Sequence, residues 1–253
     1  MSVGNHWLFT QKQLEDNPSR KFNIGETEEE DLRREGVKII LDVGKELKLM
    51  QNPTLSTASV FFHRFYMFHS FTEFPKHLTA LGCLFLAGKV EETPKKCKDI
   101  CTAAVKVFPL EFTSKTLIED VMSLERVLLQ TVRFDLHVEH PYPFLLQYAK
   151  ALKENVSEEA DKELIAQAVQ HAWAFVNDSA STTLCLQWEP EVVAISMLYM
   201  AIKLAKMEVQ SETLDDQWWE MRVPLQRLVN QLHCKQLMPA PNLIRSLISG
   251  RLI

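Results

Sequence analysis

Nine consecutive residues, Ala80 to Gly88, are apolar or small, and the run ends abruptly in charge at Lys89. A helix that is apolar on every face belongs at the centre of an all-helical domain, with other helices packed around it. Just upstream lies Phe62-His-Arg-Phe-Tyr-Met-Phe-His-Ser-Phe71, an aromatic-rich segment suited to lining such a core. Pro75 precedes the buried run and Pro94 follows it, which bounds the helix on both sides.

The chain has 253 residues, 46% of them hydrophobic and 24% charged, as expected of one large globular domain or two small ones. It contains only seven glycines and no Asn-Gly or Asp-Gly dipeptide, so the expected class is all-α. The net charge of −5 argues against a main surface that grips nucleic acid, although a local basic patch is compatible with it. Five cysteines lie scattered without a Cys-x-x-Cys pair, which argues against a disulfide framework or a structural zinc site. No N-terminal leader and no span of about 18 apolar residues appears. The expected surroundings are therefore reducing and soluble, with no membrane partner.

The buried run recurs. Ala80 to Lys89 falls on Ala194-Ile-Ser-Met-Leu-Tyr-Met-Ala-Ile-Lys203 with apolar opposite apolar and small opposite small. Two copies of one small helical unit account for this length better than one undivided core. A helix of about Glu28–Leu49 should begin at Thr27, and Ser56 or Thr57 should cap the next, Thr57–His69. A shorter helix, Lys98–Val107, precedes a long one reaching Phe134. His140-Pro-Tyr-Pro143 marks the joint between the halves. Beyond it, helices are expected at Phe144–Lys153, Glu163–Asn177, Glu191–Met207, around Trp218 and Trp219, at Leu225–Gln236 and at Asn242–Leu252. No low-complexity stretch is read within these 253 residues, and any such tail is expected outside them.

Glu125 is the oddest single residue. It falls among Ile118, Met122, Leu129 and Val132, an apolar stripe at helical spacing. A buried unpaired carboxylate costs several kcal/mol. Either the stripe ends there and the acid is solvated, or it has a partner, for which Lys89 is the candidate. Lys89 alone would also suit the C-terminal end of a helix dipole or a stem laid over apolar surface.

His63, His69 and His77 are close in sequence, but their spacings do not place two ligands on one helix face. Phe62, Phe65, Tyr66 and Phe68 are expected in the first core, with Arg64 as an interior or interface ion-pair partner. Lys95, Lys96 and Lys98 form a small basic cluster that suits a solvated loop. No phosphate loop, nucleophile elbow or zinc-protease motif is present, so no catalytic residue, metal site or cofactor is expected.

The segment Phe62–Ile100, with Lys89-Val-Glu-Glu92, Thr93-Pro-Lys-Lys-Cys-Lys-Asp-Ile100 and Leu129-Gln-Thr-Val-Arg-Phe-Asp-Leu136, resembles the cyclin box of the transcriptional cyclins, the cyclin K and cyclin T family. The K type is the nearer through the middle of the chain. The opening, Trp7-Leu-Phe-Thr10 with Gln13-Leu14 and Pro18–Phe22, looks more like the T type. The resemblance runs from Trp7 to about Gln236. It implies two tandem five-helix cyclin boxes with a short N-terminal extension: residues 1–27, then 28–138 and 139–253.

The resemblance further implies a heterodimer with a cyclin-dependent kinase catalytic subunit. Lys89, Glu92 and Glu125 would meet backbone groups of the kinase's regulatory helix, and Phe134 and Leu136 would add apolar contacts to it. It implies a nuclear protein whose complex phosphorylates the C-terminal repeats of RNA polymerase II and promotes elongation, with no direct nucleic-acid contact. Mitotic cyclins carry an apolar docking patch on their first helix. Here Leu32-Arg33-Arg34-Glu35-Gly36 occupies that place, which speaks against substrate recruitment of the mitotic kind. The alternative is a general-transcription-factor type of tandem cyclin fold that clamps promoter DNA, which would need a basic face.

Overall fold

The computed structural model describes residues 6–154 and 159–204. Among the described residues every regular element is a helix. The chain divides into two compact units, one of residues 1–140 with 180–188, the other of 141–179 with 189–253. The first unit holds α1 (Gln11–Glu15), α2 (Pro18–Lys21), α3 (Glu26–Glu46), α4 (Ser56–Phe65), α5 (Lys76–Val90), α6 (Cys97–Val107) and α7 (Leu117–Thr131). A short 3₁₀ turn, Thr183–Leu186, belongs to it as well. The second unit shows α8 (Pro141–Glu154), α9 (Glu159–Ser179) and α10 (Pro190–Leu204). The expected helices around Trp218, at Leu225–Gln236 and at Asn242–Leu252 lie outside the described residues.

α5 is the hub of the first unit. Every residue from Thr79 to Gly88 is buried, and α3, α4, α6 and α7 all pack against it. The close approach depends on small residues. A Cβ on Gly82 would sit 3.0 Å from both Leu124 and Leu128 of α7. A Cβ on Gly36 of α3 would sit 1.9 Å from the Phe62 ring, so only glycine admits that ring where it lies. Phe61, Phe62, Phe65 and Tyr66 are fully buried, and Tyr66 stacks on Phe71 with ring centroids 3.6 Å apart. In the second unit, α10 carries the echoing segment and buries Val193, Ala194, Ile195, Met197, Leu198, Ala201 and Ile202.

Several expected boundaries move for physical reasons. α3 begins at Glu26 behind Gly25, not at Thr27, and its first-turn acids Glu26, Glu28 and Glu29 favour the dipole. Ser56 and Thr57 do not cap α4, because their hydroxyls donate instead to the Gln51 carbonyl and the Glu91 carboxylate. α8 starts at Pro141. Prolines suit a first helical turn, whose N–H groups have no intrahelical acceptor. The N-terminal extension contains two short helices that residue pattern alone does not mark. One is closed by a capping box between Thr10 and Gln13, the other by Asn17 ahead of Pro18.

The first unit also buries charge. Glu29 accepts from Asn17 Nδ2, Arg20 Nε and Arg33 Nε, each within 2.9 Å, which joins α2 to α3. Arg33 continues to the carbonyls of His63 and Tyr66. Arg33, and not Arg64, thus forms the interior ion pair. Arg64 is buried yet, among the described residues, has no carboxylate within ion-pair distance, and its guanidinium lies 4.6 Å from the centroid of the Trp7 ring. Phe68, expected in the core, is 42% exposed because α4 ends before it.

Two interior histidines titrate low. His63 Nε2 donates to the Ala180 carbonyl, while Nδ1 faces the Arg33 guanidinium. Burial and then Arg33 hold its pKa down to about 3. Burial and then Arg64 hold that of His140 at about 4. Both are neutral when folded and would take protons only on unfolding. Their contribution is therefore complete above the unfolded pKa of about 6.5 and is lost as pH falls toward 3 to 4. Each should remove about 2 kcal/mol between pH 6.5 and 5. Urea unfolding at the two pH values should show that loss, and His63→Gln should flatten its share of the slope. A second expectation follows from the glycine contact: Gly36→Ala should cost about 1–3 kcal/mol by overpacking against Phe62, read as a lowered urea midpoint.

Candidate kinase-docking site

Lys89 and Glu125 meet. Lys89 Nζ lies 2.7 Å and 2.9 Å from the two carboxylate oxygens of Glu125. Lys89 stands in the last turn of α5 and Glu125 in the middle of α7, the helix that packs on Gly82. The ammonium also lies 4.0 Å from the centroid of the Phe85 ring, which contributes a cation–π attraction. The lysine side chain is 47% exposed and the glutamate 16%. With the lysine half-exposed to solvent, the pair is worth on the order of 1 kcal/mol of fold stability. An ammonium has three donors and a carboxylate about four acceptor positions, so both groups retain capacity for a further partner.

Glu125 does not lie in the core row. The buried row of α7 is Leu117, Val121, Leu124 and Leu128, continued at Val132. Ile118, Met122 and Leu129 form a neighbouring row round the helix. Ile118 and Leu129 are partly buried and Met122 is 53% exposed. α7 thus carries two apolar rows side by side, and the spacing alone does not say which faces α5. The close approach at Gly82 selects Leu124 and Leu128, which leaves Glu125 on the outward flank.

The remaining candidates lie at helix ends. α5 closes with Glu92 in the left-handed region, φ 54°. Its N–H donates to Lys89 O, and that of Thr93 to Gly88 O. α7 closes in the same way: Arg133 N–H donates to Gln130 O and Phe134 N–H to Leu129 O. Both are Schellman ends, a place usually taken by glycine. Glu92 is exposed, whereas Glu91 turns inward and accepts from Thr57 Oγ1 at 2.6 Å. His140 Nε2 completes this chain at 2.7 Å from Thr57 Oγ1. Phe134 is 68% exposed at φ 57°, beside Arg133 at φ 55°. A left-handed non-glycine residue costs about 1–2 kcal/mol. Leu136 is half-buried and packs on the first core.

Sequence reasoning missed Trp7 and Asp135, whose contact spans 128 residues: Trp7 Nε1 donates to Asp135 Oδ2 at 2.8 Å. Phe-Asp-Leu was visible as a motif, but nothing local marks its middle residue as a long-range acceptor. The three histidines go to separate surroundings. His63 is bonded to Ala180, His69 stacks on Phe65 and reaches Thr131, and His77 meets the edge of Phe112. Among the described residues no three metal-binding side chains cluster, and no helix is long and apolar enough to cross a membrane. Burial pushes the thiol of Cys97 up and that of Cys101 to about 12. The first-helix patch is polar here: Arg34 pairs with Asp31 and Glu35 with Lys76.

Residues 6–137 match the family profile described as "Cyclin, N-terminal domain". The chain is 50% identical to Cyclin-K of Homo sapiens over 223 residues, 86% of this chain and 37% of that protein. It is 48% identical to Cyclin-K of Danio rerio over 236 residues, 90% of this chain and 54% of the relative. Cyclin-T1 of Homo sapiens is 34% identical over 222 residues, 85% of this chain and 29% of the relative. The chain thus spans between 29% and 54% of the length of these relatives. Its fold matches a chain of the yeast RNA Pol II CTD kinase CTDK-1 complex, with TM-score 0.66, 21% identity and coverage of 81% of this chain and 65% of that one. It also matches a chain of the CAK complex of Chaetomium thermophilum, with TM-score 0.66, 19% identity and coverage of 98% and 77%. The chain belongs to the cyclin family and is of the cyclin K and cyclin T type.

Proposed function

We propose that this chain is the regulatory subunit of a transcriptional cyclin-dependent kinase, which it binds as a heterodimer and activates. The observation that carries the reading is the Lys89–Glu125 pair. Its donor and acceptor capacity lies beside exposed Met122, and α7 ends in exposed Phe134. Such a surface can take the end of a partner helix, where backbone N–H and C=O groups lack intrahelical partners. Glu92 and Leu136 complete the proposed contact set. On this reading residues 28–138 are the first cyclin box, preceded by the extension 1–27, and 139–253 are the second.

Cyclins are regulatory subunits of kinases and not enzymes themselves. The proposed mechanism is a population shift. The chain binds the kinase better with its regulatory helix turned inward, so that arrangement gains occupancy. In it the helix glutamate reaches the ATP-binding lysine, an ion pair that phosphoryl transfer requires. We further propose a nuclear complex that phosphorylates the C-terminal repeats of RNA polymerase II and promotes elongation. The fold match to a chain of the yeast RNA Pol II CTD kinase CTDK-1 complex supports that substrate.

The test is a phosphate-transfer assay with purified transcriptional kinase subunits and a polymerase-tail repeat peptide. The chain should stimulate at least one kinase, and Glu125→Ala should lower that stimulation about 10-fold or more at equal concentration. Absence of stimulation with every kinase, together with salt-dependent binding to duplex DNA, would overturn the reading in favour of a promoter clamp.

A further inference from the structure

The end of α7 holds two consecutive non-glycine residues in the left-handed region, Arg133 and Phe134, and the second exposes its ring. Strained backbone of this kind persists only where its surroundings over-determine it. Three helix-end bonds contribute: Arg133 N–H to Gln130 O, Phe134 N–H to Leu129 O and Asp135 N–H to Val132 O. The tertiary restraint is the Asp135 carboxylate. It accepts from Trp7 Nε1 at 2.8 Å, with His6 Nε2 at 3.3 Å from the same oxygen.

Trp7 is itself firmly placed. It is 3% exposed, and the edge of Phe68 meets it with centroids 6.1 Å apart. Two residues on, Phe9 N–H donates to Leu186 O at 2.7 Å. The Arg64 guanidinium lies over the Trp7 ring, and its Nε and Nη1 have no hydrogen-bond partner among the described residues. The indole therefore stands between a buried cation and a carboxylate: its π face attracts the one and its N–H binds the other.

We propose that Trp7 is a positioning residue for partner docking: through Asp135 it holds the α7 terminus so that Phe134 is presented outward before any partner arrives. The partner surface that fits an exposed aromatic at the end of a helix whose flank carries Met122 and Leu129 is the apolar face of an amphipathic helix. This consequence rests on the kinase reading above, whereas the restraint on residues 133–136 does not. A pre-set Phe134 spares binding the cost of ordering that segment. Loosening the segment lowers the competent fraction of the free protein and weakens apparent affinity in proportion.

The test uses the full chain and Trp7→Phe, which keeps an aromatic ring beside Arg64 while removing the N–H donor and part of the ring volume. Amide hydrogen exchange is read first, on the free protein. Exchange at Arg133 to Leu136 should rise about 3- to 10-fold, the loss expected from one hydrogen bond, while the amides of α5 stay as protected as before. Affinity for the kinase that the unaltered chain stimulates should fall by a similar factor. Asp135→Asn keeps an acceptor for the indole and should retain affinity. Asp135→Ala should weaken it, and adding Trp7→Phe should then cost nothing more, since both act through one contact.

Unchanged exchange at Arg133 to Leu136 in Trp7→Phe would overturn the restraint. Raised exchange with affinity intact would overturn its role in docking, as would additive losses in the double variant. If the unaltered chain binds no kinase, the docking role falls together with the kinase reading. The exchange result would then still decide the restraint.

Discussion

The burial of α5 on all sides is the constraint from which the rest of the first unit follows. A helix with no polar face must be enclosed, and α3, α4, α6 and α7 enclose it. Close enclosure needs backbone contact, and Gly82 admits Leu124 and Leu128 of α7. Once that contact is made, the first charged residue after the buried run can only emerge at the rim of the α5–α7 seam. There Lys89 finds Glu125. The pair contributes little to stability at that exposure, so its value lies in what it presents.

The ends of the two helices at this seam share one design. Glu92 and Arg133 occupy positions that glycine would take at lower cost, in a chain with only seven glycines. Side chains in those places stand at the edge of the seam instead of leaving bare backbone. Thr57 and His140 tie Glu91 down just before Glu92. Trp7 and His6 tie Asp135 down just after Phe134. Both turns are anchored from distant parts of the sequence, which makes the seam a pre-set surface instead of two free loops.

The buried run, the aromatic segment and the placing of Lys89 opposite Glu125 could be read from residue pattern and family resemblance together. Pattern served best where it was extreme: Ala80–Gly88 admits no exposed face, and all of it is buried. It served poorly on α7, where two adjacent apolar rows compete and only the contact at Gly82 decides between them. It was also silent on Arg33. A charge inside the protein reads as a surface residue until Glu29, Asn17 and two carbonyls are brought to it. The same holds for Trp7 and Asp135, where 128 residues of sequence separate donor from acceptor.

The most direct measurement is the affinity of the charge-swapped chain, Lys89→Glu with Glu125→Lys together, for the stimulated kinase. The swap rebuilds the intrachain ion pair and exchanges the places of donor and acceptor. If the pair exists to meet a partner's backbone groups, the swapped chain should keep its urea midpoint. Its stability should change by no more than about 1 kcal/mol, while affinity falls about 10- to 100-fold. Affinity restored to that of the unaltered chain would contradict this and reduce Lys89 and Glu125 to an ordinary structural ion pair.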